Sequence, residues 1–171
     1  LAVNKDSLER VLVKNPMIKS AQVYYSLDGY IHVNIQQREP VLRVLTGEGY
    51  YVDRDGRVMP LSSKFTSRVV VATGDINKKF ACEKLGPFAM KLKNEPFWDA
   101  YIEQLVVRSN EDVVMIPKVG DFRIVLGKVD DCEARLEKLM LFLKDGITKK
   151  GWNRYKEINL KFDNQVVCVR K

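Results

Sequence analysis

Apolar and polar positions alternate over 30–37, with Ile31, Val33 and Ile35 set against His32, Asn34 and Gln36. That period of two predicts a strand with one buried and one wet face. Pro40 cannot donate to a ladder, so it should break or edge this strand before a new apolar run over 41–45. A module boundary is placed at that break. Upstream, Leu8, Val11 and Leu12 share one face at helical spacing, with Asp6 or Ser7 as the cap and Asn15-Pro16 as the stop. The run 23–26 pairs with 30–37 across Leu27-Asp28-Gly29, where Asp-Gly favours a hairpin. The first module is therefore a helix followed by two strands, which buries too little to stand alone.

Downstream the pattern becomes richer in strands. Tyr50, Tyr51 and Val52 meet Val58 and Met59 across Arg54-Asp55-Gly56, where Gly56 can take positive φ. The β-branched run 68–72 ends at Thr73-Gly74 and predicts a buried strand. Pro87 and Pro96 each suit the first turn of a helix, the first carrying Phe88, Met90 and Leu92 and the second Phe97 and Trp98. The runs 105–108, 113–116 and 122–126 predict an antiparallel meander. A long amphipathic helix follows, with Asp130 and Glu133 as a capping box. Cys132, Leu136, Leu139, Met140, Leu143 and Ile147 line its apolar face, and Gly146 lies near its end. Ile158, Leu160 and Phe162 then alternate with polar residues, Asp163-Asn164 turns the chain, and 165–169 forms the last strand. The fold class is α+β.

The 171 residues are 46% hydrophobic and 30% charged, a globular composition with room for one domain or two small ones. A formal net charge of +7 admits an acidic partner, an anionic surface or nucleic acid. The cations are spread along the chain, with one short cluster at Lys149-Lys150, and nothing in their pattern points to nucleic acid. Cys82, Cys132 and Cys168 are far apart and odd in number, so they form neither a disulfide framework nor a CxxC metal site. No run approaches the roughly 18 apolar residues of a membrane span.

Chemistry is hard to place. His32 is the only histidine and falls on the polar face of its strand, so no Ser or Cys has an evident base. HExxH, GxxxxGK[ST] and GxGxxG are all missing, which implies neither metal nor nucleotide cofactor. Asp53 and Asp55 read as turn formers, and no enzyme signature emerges. What remains is a short terminal strand. Such strands often lie at a sheet edge, where unpaired backbone groups offer themselves to a partner strand.

The ordered segments NPMIKSAQVYYSLDGYIHVNIQQREPVLRV, GYYVDRDGRVMPL, FWDAYIEQLVV, IPKVGDFRIVLGK and YKEINLKFDNQVVCVRK resemble the extracytoplasmic part of the bacterial cell-division protein family FtsQ, called DivIB in some lineages. The resemblance covers nearly the whole chain. Gln37-Arg38-Glu39-Pro40 is similar to the end of that family's POTRA domain, and the YYVDRDGRVMPL hairpin to the opening of its β domain. It implies that 1–45 is the C-terminal part of a POTRA domain and 46–171 an FtsQ-type β domain, mainly antiparallel with packed helices. A strand and a helix of the POTRA domain are expected upstream of Leu1.

The same resemblance implies a non-catalytic scaffold of the divisome, without cofactors. Its expected setting is the periplasmic side of the inner membrane at the division septum, anchored by one N-terminal transmembrane helix outside this chain. The implied partners are FtsB and FtsL, with other divisome proteins meeting the POTRA domain. FtsB would add a strand to the C-terminal sheet edge. Carried onto this sequence, the partner-binding positions are Phe162, Asp163, Asn164, Val166, Val167 and Arg170. Arg170 departs from a tryptophan found in some members, and Asn164-Gln165 from a small or glycine turn. The alternative function is a POTRA-type chaperone or adaptor that binds extended polypeptides in envelope transport. Such proteins usually repeat the module, and no internal repeat is seen here.

Overall fold

The computed structural model describes residues 4–63, 66–147, 151 and 154–171, and the side chains of Gly146 and Ile147 stand outside that description. Lys149 and Lys150, the short basic cluster, also lie outside the described residues. The chain divides into two compact units, Leu1–Pro40 and Val41–Lys171.

In the first unit, α1 (Lys5–Val13) is capped by Asn4 rather than by Asp6 or Ser7. The Asn4 side-chain oxygen accepts the Ser7 N–H at 3.2 Å, and Asp6 lies in the first turn, where its charge suits the helix dipole. The helix packs on β1 (Ile18–Tyr25), and the Glu9 carboxylate accepts the Val23 N–H at 2.7 Å. β1 pairs antiparallel with β2 (Ile31–Gln37), Val23 opposite Val33 and Ala21 opposite Ile35. Gly29, at φ 87°, makes the turn possible. The expected buried face of β2 is not buried. Ile31, Val33 and Ile35 are 42%, 44% and 43% exposed, whereas Ala21 and Val23 beneath the helix are buried. The helix covers the β1 row of this apolar face and leaves the β2 row open.

The second unit is built on one mixed sheet. Its elements are β3 (Pro40–Val44), β4 (Tyr50–Asp53), β5 (Val58–Pro60), β6 (Val70–Gly74), β7 (Ile102–Arg108), β8 (Asp112–Pro117), β9 (Arg123–Gly127), β10 (Tyr155–Asn159) and β11 (Val167–Arg170). Across the described sheet they run in the order β11-β10-β9-β8-β7-β6-β3-β4-β5. β7, β8 and β9 form the expected antiparallel meander, and β4–β5 and β10–β11 are antiparallel ribbons. β3–β6, β6–β7 and β9–β10 are parallel. The run 41–45, assigned by the resemblance to the first module, thus belongs mostly to a strand hydrogen-bonded into the large sheet.

Parallel neighbours cannot be joined by a tight turn and need a crossover. Helical connections supply it for β6–β7 and β9–β10, while the β4–β5 ribbon lies between β3 and β6 in the chain. Between β6 and β7 run α2 (Lys78–Phe80), a π-helical turn Ala81–Leu85, α3 (Gly86–Asn94) and α4 (Pro96–Tyr101). Asn77 caps the first of these through the Phe80 N–H at 2.8 Å, and Pro87 and Pro96 occupy first-turn positions. Between β9 and β10 runs α5 (Glu133–Phe142), continued by a π-helical turn Leu143–Ile147. The capping box expected for α5 does not form. Asp131 adopts φ 47°, Cys132 precedes the helix without a side-chain cap, and Asp130 instead pairs with Lys84 at 2.6 Å.

The helices cover one face of the sheet. Phe88, Leu92, Trp98, Leu136 and Leu139 pack into one core with Val44, Ala72, Leu105, Met115, Ile124 and Ile158, whose strand register places them on a common face. At the β4–β5 end, buried Asp53 accepts the N–H groups of Asp55 and Arg57 at 2.9 and 2.7 Å. It is a clasp of the hairpin turn, not half of an acid–base pair.

Candidate functional site

The two outer strands of the large sheet are not equivalent. β5 ends on Pro60, which cannot donate and so blunts that edge. β11, at the other end of the sheet, has neither proline nor glycine and pairs with β10 alone among the described residues. Asn159 lies opposite Val167, Ile158 opposite Cys168, Glu157 opposite Val169 and Tyr155 opposite Arg170, with a bulge between Tyr155 and Glu157.

Peptide groups along a strand point alternately to its two sides. The Lys171 N–H donates to the Arg154 carbonyl at 3.2 Å, so the peptide groups of Val169 and Val167 share its inward direction. Those of Cys168 and Arg170 point away from the sheet. Side chains alternate in the other dimension. Ile158 belongs to the core, and Cys168 opposite it packs there too, so Val167 and Val169 stand on the face without helices, 37% and 47% exposed. Burial pushes the Cys168 thiol up, which favours its neutral form. The edge is a short backbone ladder flanked by two accessible valines.

The ribbon's turn is held from behind by α5. Lys138 donates to the carbonyls of Leu160 and Phe162 at 3.1 and 2.6 Å, and Phe142 meets Tyr155 with ring centroids 6.0 Å apart. Asn164 takes φ 57°, a conformation asparagine tolerates better than most residues. Of the residues singled out from the sequence, Phe162, Asp163 and Asn164 lie in the connection between β10 and β11. Phe162 is 47% exposed, and Asp163 and Asn164 are also exposed. Val166 is half-buried against the core, Val167 opens β11, and Arg170 ends it exposed to solvent. All six therefore fall on one ribbon.

Sequence reasoning missed Val169, although strict alternation from Val167 would have found it. The outward direction of the Cys168 and Arg170 peptides had no sequence signal, since it depends on register. His32, the sole histidine, stacks on Tyr24 with centroids 5.0 Å apart. Among the described residues no group of His, Cys, Asp or Glu side chains could hold a metal ion. No described helix is long and apolar enough to cross a membrane.

The larger unit is a helix-backed mixed sheet whose last strand, among the described residues, has one unpaired edge, the feature that strand addition uses where it occurs. A family model described as FtsQ/DivIB, C-terminal related, matches residues 39–169, from the residue before β3 to the penultimate residue of β11. The chain belongs to this FtsQ/DivIB-related family of cell-division proteins. Comparison with curated proteins returned no match.

Proposed function

We propose that this protein is a divisome scaffold whose β11 edge takes up an extended segment of FtsB, in complex with FtsL, as an added strand. Phe162, Asp163, Asn164, Val166, Val167 and Arg170 are the proposed contact positions, joined by Val169 and the outward peptides of Cys168 and Arg170. Residues 1–45, most of which form the first compact unit, are proposed as the C-terminal part of a POTRA domain, through which other divisome proteins would be met. In the natural protein a transmembrane helix outside this chain would hold both units on the periplasmic face of the inner membrane. Family membership supports the scaffold role. The observation that carries the binding mode is the exposed ladder of β11, whose outward N–H and C=O groups have no strand beside them among the described residues.

The ladder separates two proline substitutions. Val167→Pro removes an inward-pointing N–H and should loosen β11 itself, whereas Cys168→Pro removes an outward donor together with the core-packed thiol, the second of which Cys168→Ala also removes. In pull-downs and titrations against a soluble FtsB–FtsL complex, Cys168→Pro should weaken binding by about tenfold or more, the worth of roughly one hydrogen bond and its neighbours. Cys168→Ala, which keeps the N–H while trimming the side chain, should bind nearly as the parent does. Removing the residues after Asp163 should abolish capture. Equal affinity of Cys168→Pro and Cys168→Ala would count against strand addition at this edge.

A further inference from the structure

The carboxyl end of the ribbon gathers positive charge. Arg154, Lys156, Arg170 and Lys171 are all exposed there, because β10 begins where β11 ends and Tyr155 lies opposite Arg170. Two neighbouring acidic groups are already engaged, Asp121 with Lys171 at 2.8 Å and Glu157 with Arg123 at 2.8 Å. Among the described residues Arg154, Lys156 and Arg170 have no ion-pair partner. At the opposite end of β11, Asp163 is offset by Lys138, whose ammonium reaches the Phe162 carbonyl at 2.6 Å, and Lys161 is paired with Asp112 at 2.9 Å, so positive charge is concentrated at the carboxyl end and the edge has an electrostatic direction as well as a chain direction.

That direction answers a need. A backbone ladder is nearly blind to sequence, and β11 offers outward peptide groups at Cys168 and Arg170 only. A segment laid on so short a strand could slip by two residues, or reverse, at little cost in hydrogen bonds. Charge at one end discriminates among these arrangements, because like or absent charge there forfeits the attraction.

We propose that the segment added along β11 carries a carboxylate-bearing end that lies beside Arg154, Lys156 and Arg170, and that this basic cluster sets its register and direction. The inference rests on the strand-addition reading above. The hydrogen-bonding edge holds the partner, while the cluster selects an acidic end and speeds encounter with it. Attraction of this kind is exposed and weakens as salt rises.

Isothermal titration of soluble FtsB–FtsL into the whole chain, at low and high salt, tests it with two double variants. Arg154→Glu/Arg170→Glu reverses the cluster. Lys78→Glu/Lys79→Glu makes the same change in net charge on the helix that leads into Cys82, whose carbonyl packs by Gly56 in the β4–β5 turn at the opposite side of the sheet. The proposal expects the cluster variant to lose about tenfold in affinity at low salt, the combined size of a few exposed ion pairs, and most of its salt dependence. The remote variant should keep the parent's affinity within about twofold. Equal losses in both variants, or no loss in either while the parent binds, would overturn the cluster's role and leave strand addition standing. No binding by the parent at either salt would overturn both.

Discussion

Gly74→Ala should be among the most damaging single-methyl changes in the larger unit. Gly74 ends β6 at φ 104°, opposite Val107 of the parallel β7, and a Cβ built there would lie 2.0 Å from the Val107 carbonyl oxygen. That oxygen is already the acceptor for the Asp75 N–H at 2.9 Å. An alanine must therefore leave its preferred backbone region and also push two hydrogen-bonded strands apart. The first effect costs about 1–3 kcal/mol and the second about 1–3 kcal/mol. A loss of about 4 kcal/mol corresponds to roughly 15 °C in the unfolding midpoint of a unit this size. Calorimetry of the variant would show it. Gly47, also at positive φ (58°) but with nothing within 4 Å of its would-be Cβ, should suffer only the backbone part when changed to alanine.

Leu105→Ala should be comparably severe for a different reason. Leu105 is fully buried in β7, with Ala72 of β6 on one side and Met115 of β8 on the other. Central strands have no slack with which to close a cavity, so the loss should approach the upper part of the ~2–5 kcal/mol range for such truncations. Leu141→Ala removes the same atoms from α5 at a position 63% exposed, and should change stability by no more than about 0.5 kcal/mol. Denaturant unfolding of the two variants compares burial at constant chemistry. Similar midpoints for both would mean that the helix-covered face is not the core.

Much of this architecture was legible where one local rule governed. The meander over β7–β9 followed from alternation and turn residues, and α3 and α4 from Pro87 and Pro96 at first-turn positions. Elsewhere two rules competed. Asp130 and Glu133 have capping-box spacing, but the left-handed Asp131 and the Lys84 ion pair draw Asp130 away from the helix start. Alternation in β2 marked an apolar face correctly, yet could not say whether anything covers it, and Ile31, Val33 and Ile35 stand open. The parallel pairings of β3, β6, β7, β9 and β10 arise from long-range crossover, which periodicity does not record. The six candidate residues clustered because they are neighbours in sequence on one ribbon. The direction of their peptide groups was hidden, since a shift of one residue in register would exchange the outward and inward sets.

Amide hydrogen exchange at β11 is the most direct measurement of the central claim. In the free chain the amides of Val167 and Val169, which face β10, should be protected, while those of Cys168 and Arg170 should exchange quickly. Adding soluble FtsB–FtsL should slow exchange at Cys168 and Arg170 and leave Val167 and Val169 nearly unchanged. A complex that forms while Cys168 and Arg170 continue to exchange as in the free chain would contradict the account.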